Sequence, residues 1–73
     1  MKNLDGLLNL LQAKLNKLQT EKQEALETIE KLENSIDNNL FFFLIASAKD
    51  YYDSQIESTD LIARITHNYI KEK

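Results

Sequence analysis

Cysteine and proline are absent from this sequence, and glycine occurs once, at Gly6. Without cysteine no disulfide and no thiolate metal site can form. The single histidine, His67, cannot build a metal site by itself. With so little Pro and Gly, the turns that a many-stranded fold requires have no obvious source. An excess of basic charge is also missing. Nine Lys and Arg face twelve Asp and Glu, for a net charge of −3. A dedicated nucleic-acid binder would show a basic patch, and acidic character works against attraction to anionic membranes. Long apolar runs are lacking too. The longest, Leu40 to Ala46, falls far short of the ~20 residues a membrane span needs. The start, Met1-Lys2-Asn3-Leu4-Asp5, carries no signal-peptide pattern, so a cytoplasmic location is expected. The Lys, Asn and Ile richness suggests a bacterial source.

At 73 residues the chain forms one domain at most. Chains this short rarely bury a core worth more than about 3–5 kcal/mol without help. Disulfides and metals being excluded, association is the remaining stabiliser.

What is present is helix-forming. Leu, Lys, Glu and Gln lose little rotamer freedom in a helix. The first periodic segment runs from about 4 to 36. Leu4, Leu11, Leu18, Ala25 and Leu32 alternate with Leu8, Leu15, Lys22, Ile29 and Ile36 in steps of four and three. That is the heptad seam of a coiled coil. Asn3 or Asp5 offers an N-cap oxygen. The seam is weakest around Lys22 and Ala25, and Thr20-x-x-Gln23 has capping-box form, so a break near Thr20 is one alternative.

Asp37-Asn38-Asn39 is the best turn in the chain. Both residue types make local backbone hydrogen bonds, and Asn tolerates the left-handed conformation that ends helices. The second segment spans about 40 to 71. A turn at 37–39 would fold two halves of about 33 residues, each roughly 50 Å of helix, into an antiparallel hairpin. On the second wheel Asp50, Asp53, Glu57, Asp60, Arg64 and Lys71 share one face. Ile45, Ala48, Tyr52, Ile56, Ile62, Ala63 and Ile70 fall on the other. Ser54-Gln55-Ile56-Glu57 also has capping-box form, which leaves a three-helix layout with a break near 53–59 open. The expected fold class is all-α: residues 1–73 as a single helical module, an antiparallel hairpin or three helices, assembling into a bundle or coiled coil with a partner.

The functional argument starts at Leu40-Phe41-Phe42-Phe43-Leu44-Ile45-Ala46. Consecutive residues on a helix point about 100° apart, so three Phe cover most of its circumference. One antiparallel neighbour covers a single stripe. Burying such a side chain is worth roughly 1.5–3 kcal/mol, and monomers rarely leave these clusters in water. With Leu44, Ile62, Ile65 and Tyr69 included, the second segment's apolar face is wider than the narrow seam opposite. The surplus is a candidate binding surface for a second copy or a different protein, in helix-in-groove fashion. The candidate partner-binding residues are therefore Leu40, Phe41, Phe42, Phe43, Leu44, Ile45, Ile62, Ile65 and Tyr69. A compact three-helix monomer, with the Phe run at its centre, is the competing layout.

Catalytic, cofactor and metal residues are not expected. The Asp50, Asp53, Glu57, Asp60 stripe reads as a solvated face, with Lys49 and Arg64 as i,i+4 partners of Asp53 and Asp60. Residue 64, three before His67, is Arg, where a di-metal bundle site would carry Glu. Tyr51, Tyr52 and Tyr69 read as packing residues. The sequence shows no phosphate-cradling glycine loop, nucleophile elbow or zinc spacing.

The stretch Ile56-Glu57-x-x-x-x-Ile62-x-x-Ile65-x-x-x-Tyr69, with the length, hairpin layout and acidic character of the whole chain, resembles the small helical-hairpin co-chaperones of bacterial type III secretion needle proteins. That resemblance implies a non-catalytic cytoplasmic complex. The hairpin would pack against a larger helical-repeat chaperone, and the two would keep the needle subunit from polymerising early. The Phe41-Phe42-Phe43 run is outside the family's pattern. Two other readings are a structural homo-oligomer, either a coiled coil or a four-helix bundle of two hairpins, and a peripheral membrane module inserting 40–46.

Overall fold

The computed structural model describes residues 2–71, with side chains from residue 4 onward. It contains two α-helices, α1 over Lys2–Glu30 and α2 over Asn38–Lys71, packed against each other. The pair forms a rod of 54 × 15 × 12 Å with a radius of gyration of 16.6 Å. A globular 73-residue chain would have a radius near 11 Å, so the helices lie side by side along their whole length.

The heptad seam of α1 is where its spacing places it. Leu4, Leu8, Leu11, Leu15, Lys22, Ala25 and Ile29 are half-buried and Leu18 is buried. Lys22 in the seam is paired: its Nζ lies 2.6 Å from Asp53 Oδ1 on α2. Asp53 thus pairs across the hairpin and not with Lys49, as the i,i+4 spacing suggested. Arg64 Nε does donate to Asp60 Oδ2, at 2.8 Å. On α2 the facing stripe is Phe41, Ile45, Ala48, Tyr52, Ile56, Thr59, Ala63, Thr66 and Ile70.

Neither helix breaks in its interior, so the three-helix layout does not form. Two threonine hydroxyls at or near the expected breaks bond backwards. Thr20 Oγ1 donates to the Asn16 carbonyl at 3.1 Å and Thr59 Oγ1 to the Gln55 carbonyl at 2.7 Å. Such i−4 bonds are made within a helix that continues. At the N-terminus α1 already includes Lys2, which puts Asn3 and Asp5 inside the first turn and not at the cap.

The hairpin bend is longer than the three residues expected. α1 ends at Glu30, six residues before Ile36. The chain then tightens: Leu32 N–H donates to Ile29 O, Glu33 N–H to Glu30 O and Ser35 N–H to Leu32 O. These i→i+3 bonds satisfy end carbonyls that an α-helix leaves free. Leu32, freed from the seam, is 41% exposed. α2 starts two residues early because Asp37 caps it. Asp37 Oδ2 accepts from Asn39 N–H at 3.2 Å and Leu40 N–H at 3.4 Å, and Phe41 N–H donates to Asp37 O at 2.8 Å. No described residue has a positive φ, so the left-handed Asn conformation is not what turns the chain.

Candidate protein-binding face

Two helices enclose little. Among the described residues only Leu18, Ala63 and Thr66 are buried, and no side chain is completely enclosed. The accessible surface is 5750 Å², against about 4,700 Å² for a globular chain of this mass.

The nine candidate residues divide into two groups. Phe41, Leu44 and Ile45 are half-buried, and Phe41 and Ile45 belong to the stripe that faces α1. Leu40, Phe42, Phe43, Ile62, Ile65 and Tyr69 are exposed, with Phe42 and Phe43 at 66% and 67%. The tandem Phe therefore do point apart as 100° steps require: Phe41 inward, Phe42 to one flank and Phe43 away from α1. Phe41 and Phe42 keep an edge-to-face contact at 5.6 Å. Leu44 and Ile62 are separated by about 27 Å of helix, so the outward group is not one cluster but two ends of a stripe.

What joins the ends is a second heptad line on α2. Leu40, Leu44, Ser47, Tyr51, Ser54, Ser58, Leu61 and Ile65 alternate in steps of four and three. The line runs along the outer flank of α2, beside the seam that meets α1. All its members are exposed except half-buried Leu44. It is large and apolar at both ends and small at Ser47, Ser54 and Ser58. Tyr51 stands in its middle, edge-on to Tyr52 at 4.9 Å. Reading from the Phe run alone misses Tyr51 and Leu61. The spacing was the signal that could have found them.

α1 carries a matching line. Leu7, Leu10, Lys14, Lys17, Glu21, Glu24 and Thr28 also alternate by three and four, with Leu10 66% exposed. In an antiparallel pair, equal angular offsets from the shared seam fall on the same side of the rod. The grooves agree. Gln12, Asp60, Arg64 and His67 line a groove on one side, together with Leu8, Leu15 and Ala63. Glu21, Glu24 and Thr28 line another with Tyr52. The two outer lines thus form one broad side of the rod. The charged residues of α2, from Lys49 to His67, occupy the other.

The chemistry of the charged side is that of a solvated surface. No group of three or more His, Cys, Asp or Glu among the described residues could hold a metal ion. The grooves are open depressions, such as the 250 Å³ one at His67. No described helix is long and apolar enough to cross a membrane. The fold defines an all-α helical hairpin, and comparison with family models, curated proteins and solved structures finds no match for the chain.

Proposed function

We propose that this chain is a small non-catalytic protein-binding module that presents the outer flank of α2 and the hairpin tip to another helical protein surface. The observation that carries the reading is the exposure of Leu40, Tyr51, Leu61 and Ile65, between 45% and 60%, along a single heptad line. Large apolar side chains in coiled-coil spacing on an unpacked flank are what a further helix covers.

The most specific form is a cytoplasmic co-chaperone of type III secretion, stabilising a larger chaperone or a needle subunit. It is supported by the hairpin layout and by the outward direction of Ile62, Ile65 and Tyr69 in the stretch that resembles those proteins. A second reading, a homo-oligomeric coiled coil or four-helix bundle, is favoured by the regularity of the second heptad line. A membrane-inserting role draws least support, because Phe41 is half-buried on the side facing α1 and the net charge is −3.

Co-expression with the products of neighbouring genes tests the module. The expected result is a stoichiometric helical complex, lost when Phe43 and Ile65 are both changed to Ser. A soluble, fully helical single chain that is unaffected by those changes and joins no neighbour's product would overturn the reading.

A further inference from the structure

We infer that in the free chain this broad side is covered by a second copy running antiparallel, and that the charges of α1 select the register. The inference rests on the reading of the outer flank as a protein-binding surface and names its occupant.

Area is the first argument. A side of 54 by 15 Å presents about 800 Å², the share that each partner contributes to a standard interface. A face-to-face antiparallel stack lays α2 on α2 and α1 on α1, making a four-helix bundle.

Charge is the second. On the outer line of α1 the two lysines precede the two glutamates. Antiparallel stacking therefore brings opposite signs together: Lys17 of one copy opposite Glu21 of the other, and Lys14 opposite Glu24. Sliding the copies by one heptad sets Glu21 against Glu24. Stacking them parallel lays α1 of each copy on α2 of the other, where the outer line carries no charge and the lysine–glutamate pairs are lost. Like charges after the slide, and lost pairs on parallel stacking, select against the wrong arrangement.

Packing on α2 follows from the same register without further adjustment. Lys22 lies level with Asp53, which fixes how α1 positions translate to α2. Ser54 then falls opposite Ser58, Tyr51 opposite Leu61, and Ser47 opposite Ile65. The midpoint falls between Ser54 and Ser58, near the middle of Asn38–Lys71. The two rods overlap over nearly their whole length. A slide of one heptad would pair Leu40 with Ile65 and Leu44 with Leu61 but set the glutamates together, so charge and not apolar contact selects this register.

The absence of cysteine makes the test direct. Ser58→Cys places its two thiols about 6 Å apart along the axis, and Ser47→Cys about 27 Å apart. Light scattering should give twice the 8.5 kDa chain mass. A short bifunctional maleimide should link Ser58→Cys into a covalent dimer and leave Ser47→Cys unlinked, since a direct disulfide needs the two Cα atoms within about 7 Å. Lys17→Glu should weaken the dimer about tenfold, and adding Glu21→Lys should restore it. A dimer that links through Ser47→Cys, or that ignores Lys17→Glu, overturns the register and leaves the binding surface standing. A chain that stays single, yet forms a stoichiometric complex with a neighbouring gene's product and loses it on Ile65→Ser, overturns the self-association alone. A single chain indifferent to Ile65→Ser, with no complex, overturns both.

Discussion

Lys22 occupies a seam position that a leucine would fill, and its ammonium reaches Asp53 across the hairpin at 2.6 Å. The side chains are 29% and 57% exposed, so solvent screens the pair and its worth is at most about 1 kcal/mol. A leucine half-buried at the same place would gain roughly as much or more from apolar burial. Lys22→Leu is therefore expected to stabilise the hairpin by up to about 1 kcal/mol, read as a rise in the urea midpoint. The lysine instead serves alignment. A charged residue at one seam position penalises slipped pairings at a cost in stability, and the variant should show a broader set of helix registers by spin-label distances. If Lys22→Leu lost stability, the pair would be worth more than its exposure allows. The local likeness of Lys49 to an Asp53 partner shows what one-dimensional spacing leaves out. An i,i+4 neighbour is always within reach, but it is the seam that delivers the cation to Asp53.

At the scale of the helix, the ends decide more than the middles. Asp37 accepts two backbone N–H groups at the start of α2, and a capping residue of this kind is worth about 1 kcal/mol. Asp37→Ala should lower stability by about that amount and fray the turn that holds Leu40 and Phe41. Hydrogen exchange at residues 38–42 would register it ahead of the rest of the helix. Gly6 lies in the interior of α1, and a Cβ added there meets nothing within 4 Å. Gly6→Ala should stabilise by about 0.5–1 kcal/mol, visible as a higher melting temperature with an unchanged helical spectrum. The seam of α1 was legible from spacing because apolar periodicity reports which face is buried. It does not report where a helix stops. Leu32 and Ile36 continue the heptad past Glu30, yet that segment is turns, since an end is settled by which N–H and C=O groups find partners. The same distinction explains the binding face. The Phe run was conspicuous by composition, and its separation into inward Phe41 and outward Phe43 followed from helix geometry. Tyr51, Leu61, Leu7 and Leu10 were outside the candidate set because each is unremarkable except as part of a second line.

For the molecule as a whole, the rod shape means that stability and association are hard to separate. An 8.5 kDa chain with three buried residues among those described owes its cohesion to one seam. Adding a second copy along the broad side would raise the melting temperature with protein concentration, by mass action. Thermal unfolding measured over a hundredfold range of concentration checks this. A midpoint that does not move would assign all the stability to the single hairpin. Small-angle scattering adds a shape test: in the end-to-end register the assembly keeps a length near the 54 Å of one rod while its cross-section grows.

The absence of any fully enclosed side chain among the described residues has a consequence for the life of the protein. Proteases act on the fraction of molecules that is open at any moment, and a rod with no sealed interior keeps that fraction high until something lies along it. Under the proposed reading, copies made in excess of their binding surface are degraded first. Turnover would then keep the number of chains matched to the number of places they can dock, with no regulator needed to count them.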